Sequence, residues 1–223
     1  MAPCERSEPR LSERTTLPAP EGRAGREAHA SKIINVYITY IYSGPKLPEP
    51  IYSHCLAKID ENHAFLTGGK TIWGTRNQTH LYTQDTQSWI RGPEMIQSRS
   101  EHVCGSFYSL FHSTTMVVVA GGQNGFGQKL DTVELLILTQ NQWFAGPKLP
   151  KPLYGSTMVS LRNSFLIIGG VSGINDYQSS IHSLNCKNEC EWKTLKQELK
   201  VARMQSVAMM VPNNMTHCNV KKS

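Results

Sequence analysis

No run of eighteen or more apolar residues occurs in this chain of 223, so no helical membrane span is expected. Residues 1–31 carry Arg and Glu throughout and hold no apolar stretch of the kind a cleavable leader needs, so a cytoplasmic protein is expected. Signatures of catalysis are missing as well: there is no Gly-x-Ser-x-Gly, no His-Glu-x-x-His and no phosphate-cradling glycine loop. Paired Cys-x-x-Cys spacing is absent, and no metal or other cofactor is expected. Lys and Arg exceed Asp and Glu by 23 to 17, but the surplus is diffuse and no basic stripe is interleaved with aromatics, which argues against a nucleic-acid partner. No amphipathic helical period stands out; only residues 193–201 have ambiguous spacing.

What the chain does have is a repeat. Apolar runs (AFLT, MVVVA, SFLII) end in the doublets Gly68-Gly69, Gly121-Gly122 and Gly169-Gly170. About twenty residues after each doublet comes a tryptophan, Trp89, Trp143 and Trp192, in steps of 54 and 49 residues. The flanks recur too. Residues 44–48 (GPKLP) return as 146–150, with a looser copy, GPEM, at 92–95. A period near fifty is too long for leucine-rich or tetratricopeptide units.

Each period divides into four short strands rich in β-branched and aromatic residues and bounded by turn chemistry. They are expected near 52–59, 63–67, 79–84 and 87–91; near 101–108, 115–120, 131–138 and 141–145; and near 155–161, 164–168, 179–185 and 190–195. Residues 1–31 are poor in large apolar groups and read as a disordered tail. Residues 32–47 then look like the last strand of a partial unit, with Ile41 where a Trp is expected. Full units follow at 48–93, 94–147 and 148–199, the first strand of a further unit at 200–212, and a second tail at 213–223.

An apolar run into Gly-Gly, a variable loop, an aromatic or aliphatic residue seven before the Trp (Tyr82, Leu136; Leu184 is eight before Trp192) and then Gly-Pro-x-Leu-Pro resembles the kelch family over roughly residues 34–212. The resemblance implies an all-β, kelch-type β-propeller with three full four-stranded blades and partial blades at both ends, an incomplete ring. Gly68, Gly69, Gly121, Gly122, Gly169, Gly170, Trp89, Trp143 and Trp192 are then framework residues: the glycines let the backbone bend and a bulky ring pack close, and the Trp supplies that ring.

Function in such folds lies in loops at one face of the ring. The segments after the glycine doublets hold Trp73 and Arg76, Phe126 and Lys129, and Asp176 and Tyr177, large aromatics and charges in polar surroundings. Two readings stand side by side: they contact a protein partner, or Trp73 and Phe126 fold back as plugs over their own blades. Cys186 and Cys190 flank a three-residue turn and can remain thiols or form a disulfide; a zinc site would have to add the adjacent His217 and Cys218. Cys55 and Cys104 read as small buried core residues, and the recurring His54, His102, Ser156 and Ser206 as groups that satisfy backbone around the channel.

The expected function is non-catalytic protein–protein interaction. The resemblance implies ubiquitin-ligase adaptors or actin binders as analogies. The alternative is a secreted, glycosylated carbohydrate-binding or oxidase-like propeller, for which the sequons at Asn77 and Asn214 and the six cysteines speak. Three blades leave a ring open, so a truncated fragment of a larger kelch-type protein is expected, with self-association through open blade edges as the alternative.

Overall fold

A computed structural model of the chain describes residues 34–37, 40–109, 111–161, 164–186 and 190–210. The tails expected at 1–31 and 213–223, the turn 187–189, His217, Cys218 and Asn214 lie outside the described residues.

The described residues open with an antiparallel hairpin of β1 (Ile34–Tyr37) and β2 (Tyr40–Ser43). This corrects the single strand expected there: among the described residues no other strand pairs with it, and the strand-like sequence satisfies its backbone groups on itself. There follow β3 (Cys55–Lys58), β4 (His63–Thr67), a small hairpin of β5 (Lys70–Thr71) and β6 (Gly74–Thr75), then β7 (Thr79–Thr83) and β8 (Ser88–Arg91). The second unit is β9 (Val103–Ser109), β10 (Thr114–Ala120), β11 (Val133–Ile137) and β12 (Gln142–Ala145). The third is β13 (Thr157–Ser160), β14 (Ser164–Ile168), the hairpin β15 (Val171–Gly173) and β16 (Asp176–Tyr177), β17 (Ser180–Cys186) and β18 (Cys190–Glu198). β18 settles the ambiguous stretch near 193–201 as strand up to Glu198.

Three four-stranded antiparallel sheets result: blade 1 (β3-β4-β7-β8), blade 2 (β9-β10-β11-β12) and blade 3 (β13-β14-β17-β18). Each tryptophan faces the same partner across its outer strand pair, Tyr82↔Trp89, Leu136↔Trp143 and Leu184↔Trp192. The extra residue in the third unit is absorbed because β17 and β18 run on to Cys186↔Cys190 before the chain turns.

The core lies between the blades. β10 reads MVVVA at its end because both of its faces are covered: Val117 and Val119 join Ala57, Phe65, Leu136 and Trp143 against blade 1. Met116, Val118 and Ala120 join Phe107, Phe165, Ile167 and Leu184 against blade 3. Burying each such side chain is worth about 1.5–3 kcal/mol.

The glycine doublets serve this packing in a way the sequence did not show. Gly121 and Gly122 have φ of +66° and +92°, where side chains are strained. A Cβ on Gly121 would run into the Leu153 carbonyl, and one on Gly122 would stand 2.5 Å from that of Ser100. The close neighbour is therefore the backbone leading into a blade, not a tryptophan ring. The second glycine of each pair donates its N–H to the lead-in of the next blade: Gly69 to Arg99 O (2.8 Å), Gly122 to Leu153 O (2.7 Å) and Gly170 to Arg203 O (2.8 Å). The tryptophans reach backwards instead. Trp143 Nε1 donates to Pro93 O (2.9 Å) and Trp192 Nε1 to Pro147 O (2.8 Å), the prolines of the Gly-Pro turns that close the preceding blades.

At the inner rim, Ser53, Glu101, Gly155 and Gln205 all have positive φ and form a ladder in which Glu101 N donates to Ser53 O, Gly155 N to Glu101 O and Gln205 N to Gly155 O. Gln205 thus stands where a fourth blade would begin. Residues 200–210 nevertheless form no strand, contrary to expectation: among the described residues no strand pairs with them. Nor do they pair with the β1–β2 hairpin. Among the described residues the ring is open.

Candidate binding face

In each blade the chain crosses from the second to the third strand by a projecting segment, and all three segments leave the sheets at the end marked by the glycine doublet. Their bases are tied alike to the residues just before each blade, through the bridges Tyr52↔Lys70, Ser100↔Gln123 and Tyr154↔Val171. Neighbouring segments are close: a Cβ on Gly125 would lie 4.0 Å from Thr75.

Their tips are apolar and exposed. In blade 1 a two-residue turn between Thr71 and Gly74 holds Ile72 and Trp73, the latter 79 % exposed, and Thr71 Oγ1 accepts from Trp73 N. In blade 3 a similar turn between Gly173 and Asp176 holds Ile174, 94 % exposed. In blade 2 the loop 123–129 is organised by one side chain. Asn124 Oδ1 accepts from Phe126 N and Gln128 N, and Asn124 Nδ2 donates to Gln128 Oε1, so Phe126 stands out 92 % exposed on a hydrogen-bonded base. Trp73 and Phe126 do not fold back over their blades. Presenting such rings to water on short, internally bonded turns lowers the ordering cost of a later contact.

The other candidates are placed as follows. Tyr177 is half-exposed in β16, beside Asp176, whose carboxylate accepts from Gln178 Nε2. Lys129 Nζ lies 5.5 Å from the centre of the Tyr154 ring. Arg76 is held lower, ion-paired with Glu49 at 3.3 Å. Asn77 is half-buried, and its amide nitrogen, the atom a glycan would take, donates to Glu94 Oε2 and Met95 O. Ile72 and Ile174 were missed in the sequence because isolated isoleucines read as core; their positions between turn residues were the available signal. Away from this face, a cleft of about 420 Å³ lies between the outer parts of blades 1 and 2, floored by Phe65, Leu81 and Leu138.

Beneath the loops, His102 Nε2 bonds Thr67 Oγ1 at 2.8 Å across the seam of blades 1 and 2, and Ser156 Oγ donates to Gly169 O. Burial holds His102 well below the ordinary imidazole range, helped by the Arg99 charge, and lowers His54 as well. Arg99, with no exposed side-chain surface, donates to Gly121 O, to Thr132 O and, at 2.6 Å, to Glu134 Oε1; Glu134 also accepts from Ile96 N and Gln97 N. Cys55 and Cys104 are not separate core residues but a disulfide joining β3 to β9, their Cα atoms 5.9 Å apart. Counted from His54 and His102, Cys104 stands one residue later in its repeat than Cys55, on the opposite face of its strand, so the two sulfurs meet across the seam. Cys186 and Cys190 are likewise bonded to each other at the end of blade 3.

The Kelch motif family matches residues 106–150, which run from β9 through the Gly-Pro turn after blade 2. Kelch-like protein 34 of Homo sapiens is 26 % identical over 57 % of this chain and 21 % of its own length. Kelch-like protein 41a of Danio rerio is 27 % identical over 65 % of this chain and 22 % of its own. The chain thus spans about a fifth of the length of these relatives. Among solved structures, that of YjhT is similar with a TM-score of 0.62 and 15 % identity, covering 73 % of this chain and 57 % of YjhT.

Proposed function

This chain is an array of kelch repeats folded as propeller blades, and we propose that its work is to bind another protein through the loop face. The observation that carries this reading is the recurrence of an exposed apolar tip at the same place in three successive blades: Trp73 with Ile72, Phe126, and Ile174. The framework beneath repeats while the tips differ, as expected of a surface that selects one partner. Exposed aromatics beside polar groups are the residue types that anchor interfaces. The reading is non-catalytic, and the partner is a protein with an apolar surface to meet the tips, since Arg76 and Lys70 beside them are already paired with Glu49 and Glu101.

A photo-crosslinking residue placed at Phe126 should trap the same proteins in cells as one placed at Trp73, while one at Tyr108, exposed on β9 and away from the loops, should not. Equal trapping from all three positions would sink the reading. Sedimentation with filamentous actin, and assembly with a cullin scaffold, separate the two narrower roles that the family resemblance implies. A second reading, an exported propeller, is favoured by the two disulfides; secretion of the tagged chain with a mass shift on deglycosylation would support it.

A further inference from the structure

The two seams between blades are built from equivalent strands, so each side chain in one has a counterpart in the other. Counted from Gly68 and Gly121, His63 stands where blade 2 has Met116. Opposite them on the first strands are Ile59, which donates its N–H to His63 O, and Phe107, paired with Met116. On the third strands Leu81 corresponds to Leu135, opposite Phe65 and Val118. From the facing blades, Leu138 and Asn141 correspond to Cys186 and Cys190, each pair lying just beyond Leu136↔Trp143 and Leu184↔Trp192 in the outer hairpin.

The two sets do opposite things. At the seam of blades 2 and 3, Phe107 and Met116 are 6 % and 4 % exposed, and Leu135 and the bonded Cys186 and Cys190 pack against the same cluster, so the chain fills the space itself. At the seam of blades 1 and 2, Ile59, His63, Leu81, Leu138 and Asn141 line the open cleft of about 420 Å³ instead. Ile59 is smaller than a phenyl ring, and no bond ties Leu138 to Asn141. A cavity of ~150 Å³ already takes a benzene ring, so this cleft has room for a fused pair of rings. One polar group stands where the other seam has a thioether. His63 Nδ1 lies 2.9 Å from both carboxylate oxygens of Asp60. A carboxylate only accepts, so Nδ1 carries the proton and the neutral ring keeps Nε2 as an acceptor.

We propose that the cleft is a binding site for a small aromatic molecule carrying an N–H or O–H donor, of the indole or phenol class, its ring against Phe65, Leu81 and Leu138 and its donor on His63 Nε2. The other seam identifies the occupant's body, because it fills the same place with a phenyl ring, a thioether and a disulfide. His63 identifies its polar edge: a pure hydrocarbon leaves Nε2 without a partner, and an anionic ring meets the Asp60 charge. The bound molecule touches both blades and so stabilises the seam that holds it. The site lies away from the loop face, and the inference is independent of the binding role proposed there.

The test is a titration of the full chain with indole, followed by methyl NMR at a mildly alkaline pH where imidazole is neutral. The expected result is a set of saturable shifts centred on the methyls of Ile59, Leu81 and Leu138. Indene, the hydrocarbon isostere of indole, should bind about three- to tenfold more weakly for want of the donor. Ile59→Phe puts the ring of the other seam into the cleft and should weaken both probes about tenfold or more. His63→Ala, at a partly exposed position, should keep indene binding and lose the preference for indole. No saturable shift, shifts centred on other methyls, or undiminished binding in Ile59→Phe would overturn the site. Equal affinity for indole and indene in the unaltered chain would overturn the donor class.

Discussion

Between blades 1 and 2 the seam is crossed by a disulfide, by the buried Arg99–Glu134 pair and by the bond from His102 to Thr67, whereas between blades 2 and 3 it is filled by hydrocarbon, with Phe107 and Phe165 edge to face at 5.2 Å. Both seams share the same backbone pattern, glycine to the next lead-in and tryptophan to the previous exit. The difference teaches that the repeat fixes geometry and leaves the means of holding it open. One seam is then sensitive to reductant and most sensitive to acid, the other chiefly to lost volume.

The largest expected effects fall on the groups with no alternative partner. Glu134→Ala leaves Arg99 buried without its counter-ion and strips the amides of Ile96 and Gln97, a loss of about 3–5 kcal/mol. Phe165→Ala, at the other seam, opens a cavity and costs about the same. The two separate when the partner is changed as well: Arg99→Met with Glu134→Leu should recover much of the first loss, since a packed apolar pair is often as stable as a buried ion pair. Urea midpoints for the three proteins measure this, and failure of the double change to recover would mean that the amide contacts of Glu134 dominate.

Next in size is the covalent tie. Opening Cys55–Cys104, which spans 49 residues, should cost about 4 kcal/mol, against roughly 2 for Cys186–Cys190, which spans 4. Cys104→Ser and Cys190→Ser, each melted with and without reductant, compare them. A melting point in Cys104→Ser equal to that of the parent would show that this seam does not need its bond.

Acid should act most on the same seam, through His102, and less through His80 on the other face of blade 1 and His182 in blade 3. His54, His80, His102 and His182 are lowered by burial, so the fold keeps them neutral while the unfolded chain protonates them at their ordinary value of 6.5. Stability is therefore whole above about pH 6.5 and falls as the pH drops below it, by up to about 1.4 kcal/mol per pH unit for each proton refused. His102→Gln should flatten the slope most, because His102 is the most strongly shifted of the four.

The strands were legible because each is a short β-branched run bounded by turn residues; 63–67 and 164–168 coincide with β4 and β14. The loop face was legible in outline because Trp73 and Phe126 break the polarity of segments that otherwise vary. The Cys55–Cys104 bond was not, since it links two repeats at positions offset by one residue, and a period marks equivalent positions rather than facing ones. The destination of the glycine doublets was hidden for a related reason: Gly122 meets Leu153 and Ser100, backbone atoms whose sequence carries no sign of the approach. Residues 200–210 resemble the start of blade 2 in sequence and take its inner-rim position at Gln205, yet strand formation depends on a neighbour that their own residues cannot supply.

The smallest change in stability should come from the loop tips. Trp73→Ala, Phe126→Ala and Ile174→Ser remove side chains that touch little, so each should move the stability by less than about 0.5 kcal/mol. Their effect on binding runs the other way, because an anchor truncated at the centre of an interface costs about 2 kcal/mol or more. Seam variants should show the inverse pattern, lowering the melting point while any protein still folded binds normally. A loop variant that loses its partner and keeps its melting point locates recognition on the face; one that loses both would make the tip part of the blade it projects from, and would return Phe126, despite its exposure, to the framework.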